Sequence, residues 1–291
     1  KSFEGIEVYR RTLSWVLALA CRRALGVDVF IRHSISHSYF CELAEGEVTE
    51  EKVAQVKRAM QDLIDQDVPI VPEVLPLDKV RRLFKRQRNE DKARLFRWAA
   101  QDPVSLYRCG SRYGFFYAPL APSTGFVRDF DLMHYPPGMV LRFPTVAYPD
   151  TLPPFHASKH LVDVFREYGE WMDVLNVSTM ANLHEQVAEG RAQDLILISE
   201  AFHSQRLARL AEKIGHQRDI KVLCLSGPSA SGKTTTARRL RIQLQVCGLR
   251  PETISLDDYF LSREETPRDE EGNYDFEALE ALDLERINSD L

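Results

Sequence analysis

The sequence has no long apolar run and few cysteines, and each shortage argues against a class of protein. The longest apolar run near the start, Trp15–Cys21, spans seven residues, whereas a membrane-spanning helix needs about 20. The five cysteines are scattered and odd in number, which argues against a disulfide framework and favours reduced thiols. A formal net charge of -5 argues against a general nucleic-acid binder but leaves room for a local basic patch. We therefore expect a cytoplasmic protein without a membrane partner.

What the sequence does contain is enough apolar material for two globular domains. Its 291 residues are 44% hydrophobic and 28% charged, as in ordinary folded proteins. Apolar periodicity in the first third of the chain predicts both helices and strands. The predicted helices span residues 7–25, 50–66, 77–88 and 90–100, and the predicted strands span 27–32 and 39–43.

Short aromatic-rich runs between turn residues follow over 104–143 and indicate an antiparallel element. Helical patterns return at 157–175 and at 190–214. We predict an α+β domain over residues 1–185. A helical linker over 186–219 is expected to lead from it to the next strand.

The helical patterns at 77–88 and 90–100 carry a run of basic residues. Such a run is typical of a solvated helix face, and contact with nucleic acid or phosphate is the sharper alternative. Its members are Arg81, Arg82, Lys85, Arg86, Arg88, Lys92, Arg94 and Arg97.

Residues 227–235 carry the pattern of a phosphate-binding loop, G-x-x-x-x-G-K-T. The glycines let successive N–H groups and the N-terminus of the next helix point at phosphate oxygens. Lys233 adds a positive charge near the β- and γ-phosphates, and the Thr234 hydroxyl is placed to coordinate Mg²⁺. The predicted polyphosphate site comprises Gly227, Pro228, Ser229, Ala230, Ser231, Gly232, Lys233, Thr234 and Thr235.

The flanks of this loop predict a parallel α/β sheet. An apolar strand pattern at 222–225 precedes the loop, a helix over 234–246 follows it, and 252–256 has the pattern of a second strand. Asp257 and Asp258 follow that strand directly, and groups at the carboxyl ends of strands face the ligand crevice. One carboxylate can accept a proton from an attacking hydroxyl while the other lies near Mg²⁺. The alternative is that both cap the next segment.

Three motifs together resemble one family of P-loop kinases. They are G-P-S-A-S-G-K-T-T, S-L-D-D-Y-F and N-Y-D-F-E-A-L-E-A-L-D, and they resemble the uridine kinase and phosphoribulokinase family. The chain looks most like a bacterial branch in which a uridine-kinase-like domain follows a domain similar to the editing region of threonyl-tRNA synthetase. Over residues 220–291 the resemblance implies an ATP-dependent kinase that transfers the γ-phosphate to a nucleoside hydroxyl.

The kinase resemblance also implies roles for individual residues. Asp257 would take the proton from the nucleoside 5′-hydroxyl, with Lys233 acting on the phosphates. Asp275, in the N-Y-D that stands where the family has N-F-D, would hold the ribose hydroxyls. Tyr259 and Phe260 would stand near the nucleobase pocket, and Asp258 would lie near the Mg²⁺.

A uridine-kinase domain needs further strands, a lid that carries arginines and an adenine-binding segment. We therefore expect residues 220–291 to be the N-terminal half of a longer kinase domain, so that this chain alone would not phosphorylate a substrate. A non-enzymatic alternative stays open, in which the loop binds nucleotide as a sensor and the first domain binds RNA or a partner.

The synthetase resemblance, over about residues 5–185, points to a second site. His33 and His37 are four residues apart and Cys109 lies far downstream, an arrangement that can bring imidazole and thiolate ligands to one metal. The editing domain has H-x-x-x-H and a later C-x-x-x-H, but Tyr113 stands four residues after Cys109 here, and tyrosine is a poor Zn²⁺ ligand. Two alternatives stay open: a working site that hydrolyses mischarged tRNA or a related ester, or a retained fold whose cleft is structural or binds another ligand.

Overall fold

A computed structural model describes residues 2–156, 159–217, 219–228, 230–269 and 271–291. The chain divides into two compact units, Lys1–Arg191 and Ala192–Leu291, here named unit 1 and unit 2. In the described part of the chain, no helix is long and apolar enough to cross a membrane. The domain limits at 185 and 219 stay predictions.

Unit 1 combines helices with antiparallel strands. The helices are α1 (Phe3–Leu25), α2 (Glu50–Asp65), α3 (Leu77–Arg86), α4 (Glu90–Leu95), α5 (Lys159–Val174) and α6 (Met180–Ala188). The strands are β1 (Val29–Ile35), β2 (Ser38–Leu43), β3 (Ile70–Leu75), β4 (Val104–Cys109), β5 (Arg112–Gly114), β6 (Asp131–Tyr135) and β7 (Gly138–Arg142).

These strands form two antiparallel sheets, in the orders β1-β2-β7-β6 and β3-β4-β5. Helices α1 and α2 pack together against the four-stranded sheet, where Leu13 and Val16 share one core with Met60, Met139 and Leu141. A second core joins α3 and α4 to the three-stranded sheet. The predicted α+β class with an antiparallel element is confirmed for unit 1.

The first helices form where the sequence predicts them because their end signals are local. The Ser2 side chain accepts a hydrogen bond from the Gly5 N–H at 3.2 Å, and α1 ends at Gly26 in the left-handed conformation (φ 74°). Thr49, the predicted N-cap of α2, accepts from the Lys52 N–H at 3.3 Å. Helix α6 was not predicted, although Thr179 caps it in the same way.

Unit 2 contains three helices among its described residues: α7 (Ala192–His216), α8 (Lys233–Val246) and α9 (Leu284–Asp290). Two short 3₁₀ turns, Leu256–Tyr259 and Leu279–Ala281, lie between α8 and α9. Helix α7 packs on α8 in a small apolar core. The helix predicted after the phosphate-binding loop is confirmed, and Gly248 follows it with φ 80°.

The strands predicted at 222–225 and 252–256 are wrong, since neither segment is a strand in the described part of unit 2. Val222 is 58% exposed and Ile254 is 44% exposed. A parallel strand needs hydrogen-bonded neighbours and helices on both faces, and the described residues place no strand beside either segment. The predicted parallel sheet is therefore not formed among these residues, because an apolar pattern does not supply its partners.

Candidate functional site

The predicted phosphate-binding loop lies at the N-terminus of α8, which begins at Lys233. Gly232 is its N-cap with φ 83°, and Ala230 also has a left-handed backbone at φ 60°. The Ser231 N–H donates to the carbonyl of Pro228 at 3.2 Å. Left-handed residues of this kind, placed directly before a helix, are also found in anion-binding loops. Of the predicted loop residues, Ser229 lies outside the described residues.

The Lys233 side chain folds back over this loop. Its Nζ donates to the carbonyl of Gly227 at 2.8 Å and to that of Pro228 at 3.0 Å. An ammonium group has three N–H donors, so one stays available for a ligand. No carboxylate among the described residues pairs with Lys233. Thr234 and Thr235, which follow it, are exposed.

Asp257 and Asp258 lie in the 3₁₀ turn Leu256–Tyr259, and both are exposed. Among the described residues neither carboxylate takes part in a hydrogen bond or ion pair, so neither caps the following segment. This turn contacts α9. The loop leads directly into α8, which packs on α7.

Two of the three residues expected around a nucleoside have other side-chain contacts in the structure. The buried Tyr259 donates its O–H to Asp290 at 2.7 Å, and this hydrogen bond raises the pKa of the Tyr259 hydroxyl. Asp275 accepts from the N–H groups of Glu277 and Ala278 at 3.0 and 3.2 Å, which stabilises a local turn. Phe260 is 43% exposed.

The structure does not bring His33, His37 and Cys109 together. His33 lies in β1 with its ring stacked between Phe40 and Phe165, at centroid distances of 5.1 and 4.1 Å. His37 is exposed in the β1–β2 turn, with φ 57°. Cys109 ends β4 in the other sheet, and burial raises the pKa of its thiol to about 11. Because His33 and Cys109 belong to different sheets, the described residues give no support to the alternative in which they share a metal ion, and the role of these residues stays a prediction.

The part of the chain that the structure describes holds no group of three or more His, Cys, Asp or Glu side chains that could bind a metal ion. Tyr113, which stands at the fourth expected position, donates its O–H to Glu73 at 3.1 Å. Arg108 donates to the same carboxylate at 2.5 Å and holds the pKa of Glu73 below its ordinary value. These side chains link β3, β4 and β5.

Three of the eight residues in the basic run, Arg81, Lys92 and Arg94, have structural contacts. Arg94 pairs with Asp91 at 2.5 Å and with Glu185 at 2.9 Å, which attaches α4 to α6. Lys92 lies over the ring of Phe84 at 5.6 Å, and burial lowers the pKa of its ammonium group. The remaining basic side chains, Arg82, Lys85, Arg86, Arg88 and Arg97, are exposed.

A cleft of ≈ 430 Å³ lies between α1 and β1. One wall is a polar stripe of α1, formed by residues 7, 10, 11 and 14. The other walls come from residues 31–34 of β1, from Tyr39 and from Phe116. Sequence reasoning missed this cleft, although the i, i+3, i+4, i+7 spacing of the polar residues on α1 was a signal for it.

Four side chains with the spacing of the two editing motifs do meet beside this cleft. Arg11 and Trp15 are four residues apart on α1, and Phe116 and Leu120 are four apart in the segment after β5. The Trp15 and Phe116 rings are 5.4 Å apart, and Leu120 belongs to the same core. Arg11 donates to the carbonyl of Pro119. This group offers a guanidinium and apolar surface, and it contains neither imidazole nor thiol.

Part of this chain is similar in sequence to threonine–tRNA ligases. No protein-family model matches the chain. It is 30% identical over 135 residues, 45% of its length, to the threonine–tRNA ligase of Thermotoga neapolitana. The corresponding ligases of Nitratidesulfovibrio vulgaris and Teredinibacter turnerae are 30% identical over 132 residues and 31% identical over 136 residues. The aligned part covers 21%, 20% and 21% of these relatives, so the chain spans about a fifth of their length. The similarity supports the editing-like domain and gives no support to a kinase.

Proposed function

We propose that residues 220–291 bind Mg²⁺·ATP and take part in transfer of the γ-phosphate to a nucleoside hydroxyl, as in a uridine-type kinase. The observation that carries the proposal is the loop before α8. Its left-handed residues Ala230 and Gly232, with the ammonium of Lys233 folded over two loop carbonyls, form a cradle for phosphate oxygens.

The loop and the 3₁₀ turn Leu256–Tyr259 each carry an oxygen donor that suits a magnesium nucleotide. These donors are the exposed Thr234 hydroxyl and the Asp258 carboxylate, which has no partner among the described residues, and both are of the kind that Mg²⁺ prefers. When bound, Mg²⁺ would neutralise charge on the β- and γ-phosphates. Lys233 and the amides at the start of α8 would orient the phosphate chain, and this positioning supplies most of the rate in phosphoryl transfer.

Asp257 is the residue we propose to accept the proton of the attacking hydroxyl. Its carboxylate is exposed and has no partner among the described residues. Asp275 would contribute ribose recognition by exchanging its two backbone N–H contacts for hydroxyl groups. Phe260 would contact the base with its exposed ring, while Tyr259 would support that site from its hydrogen bond to Asp290.

A nucleoside panel with radiolabelled ATP on the full-length gene product tests this proposal. We expect one or more nucleosides to be phosphorylated. Asp257→Asn is expected to cut turnover by about 100-fold or more while ATP affinity is unchanged, because it removes a proton acceptor and no phosphate contact. ATP binding without phosphorylation of any acceptor would favour the sensor alternative.

The second candidate function is hydrolysis of mischarged tRNA or a related ester by unit 1. The similarity to threonine–tRNA ligases favours it, and on the comparisons it is better supported than the kinase. A deacylation assay on the wild type and on His33→Ala tests it, with His203→Ala in α7 as the matched control. This function is supported if the wild type and His203→Ala hydrolyse the ester and His33→Ala does not. Equal rates in all three proteins would exclude a role for His33 in the hydrolysis.

A further inference from the structure

The cleft between α1 and β1 differs in charge from the chain as a whole. Arg10, Arg11 and Arg32 line it together with a single carboxylate, Glu7. The chain carries a net charge of -5, so this concentration of guanidinium groups is local. Arginine forks bind phosphate and carboxylate oxygens through two parallel N–H donors. Glu42, which pairs with Arg32, is the second carboxylate beside these groups, so three arginines and two glutamates leave a charge of +1 that favours anions.

Each of these arginines is held in place and keeps donors for a ligand. Arg10 donates to Glu7 at 2.6 Å, and Arg32 donates through Nε to Glu42 at 2.7 Å. Arg11 donates to the Pro119 carbonyl. A guanidinium has five N–H donors, and these contacts leave most of them available. The protein contacts fix the groups before a ligand arrives, which reduces the entropy lost on binding.

Two aromatic side chains, Tyr39 and Phe116, line the cleft beside residues 31–34 of β1. Tyr39 packs against Phe143 at 4.9 Å, and the guanidinium of Arg10 lies 5.4 Å from its ring centroid. Phe116 packs against Trp15 and lines the cleft from the segment after β5. Rigid aromatic side chains of this kind contact planar ligands. The volume of ≈ 430 Å³ lies within the range of roughly 300–1,000 Å³ seen for small-molecule sites.

We propose that this cleft binds a free nucleoside monophosphate, with Arg10, Arg11 and Arg32 around the phosphate and with Tyr39 and Phe116 against the base. A ligand with one planar ring and one phosphate would use both the guanidinium groups and the aromatic rings. All residues that line the site belong to unit 1, whereas the predicted phosphate-binding loop belongs to unit 2, and the inference does not rest on the proposed phosphotransfer.

Calorimetric titration of the 291-residue chain with adenosine 5′-monophosphate tests the proposal. Adenosine and ribose 5-phosphate are the partial probes, and each is expected to bind at least about tenfold more weakly than the nucleotide, because each lacks one half of the contacts. Binding of adenosine as tight as that of the nucleotide would exclude a role for the arginines. No heat of binding at millimolar nucleotide would exclude the site.

Three variants locate the binding. Arg32→Gln is expected to raise the dissociation constant about 10- to 100-fold through loss of a charged hydrogen bond. Arg82→Gln, which removes the same charge from the exposed face of α3, should bind like the wild type. Lys233→Met, which disables the loop of unit 2, separates binding at that loop from binding in the cleft. Loss of binding in Lys233→Met with retention in Arg32→Gln would assign the nucleotide to the loop and overturn the proposal.

Two further measurements separate the remaining outcomes. Arg10→Gln must weaken binding as Arg32→Gln does, and both variants should melt within a few degrees of the wild type, since both side chains are partly solvent-accessible. Binding that is unchanged in a correctly folded Arg10→Gln and Arg32→Gln double variant contradicts the assignment. A short single-stranded RNA that binds more than tenfold tighter than the mononucleotide would also overturn the proposal, because the ligand of the cleft would then be the end of an RNA strand.

Discussion

The Lys233 ammonium group allows a quantitative prediction for the phosphate-binding loop. Two of its three N–H donors are held by the carbonyls of Gly227 and Pro228, at 2.8 and 3.0 Å. A phosphate oxygen can therefore accept the third donor without disturbing the loop. A charge-assisted hydrogen bond contributes about 1.5–3 kcal/mol. Lys233→Met should thus raise the dissociation constant of Mg²⁺·ATP about 10- to 150-fold, since each 1.4 kcal/mol is about tenfold.

The measurement is equilibrium binding of Mg²⁺·ATP to the 291-residue chain, at one salt concentration because exposed charges are screened by salt. Lys221→Met is the matched control, because it removes the same charge from an exposed position just before the loop. We expect this control to change the affinity by less than about twofold, as for an exposed charge away from the site.

Two results would refute the reasoning. An ATP affinity that is the same in Lys233→Met and in the wild type would mean that the third N–H donor does not reach a phosphate. Equal losses in Lys233→Met and Lys221→Met would mean that only net charge matters and that the loop holds no defined site.

The remaining predictions concern unit 1 and the cysteines. Gly138→Ala should lower the free energy of unfolding by about 1–3 kcal/mol, because an added Cβ would collide with a carbonyl of β2. Gly169→Ala, on open helix surface, is the control and should leave the free energy of unfolding unchanged or raise it. Equal denaturant midpoints for the two variants would contradict this prediction. An alkylating reagent should modify the exposed Cys224 faster than Cys109, and mass spectrometry would measure both rates. Because burial raises the pKa of Cys109 to about 11, its thiolate fraction is about a hundredfold lower than that of an ordinary thiol. Lys92→Met should raise the free energy of unfolding at pH 7, because burial lowers the pKa of this ammonium group in the folded state. Since the unfolded chain keeps its proton up to the ordinary pKa of 10.5, the gain in stability should shrink as the pH rises towards that value. A gain that does not depend on pH would argue against the burial explanation.

The features that the sequence predicts well are those whose signals are local. Helix α8 follows from Gly232, which ends the loop, and Gly248, which ends the helix, and both residues have the left-handed backbone that such ends require. Helix α2 follows in the same way from its cap at Thr49. In each case a few neighbouring residues contain the whole cause.

Non-local features are the ones that the sequence does not predict. The segment 222–225 has the apolar pattern of a buried strand, but a strand forms only beside partners, and its side chains are exposed in the described part of unit 2. His33 and Cys109 have side chains suited to a shared metal, yet they belong to different sheets. Residue type and spacing state what a site could contain, and topology decides which residues meet.

The cleft in unit 1 adds a reason why whole-chain charge is a poor guide to binding. A net charge of -5 argues against a general affinity for polyanions, because that affinity depends on the summed field. A small anion in a cleft responds to the groups within a few ångströms, where the Coulomb energy is largest and solvent screening is weakest. Three arginines against Glu7 and Glu42 leave that local field positive by one charge. An acidic chain with a basic cleft is therefore expected to discriminate in favour of small phosphates over long nucleic acids, which the mononucleotide and RNA titrations compare directly.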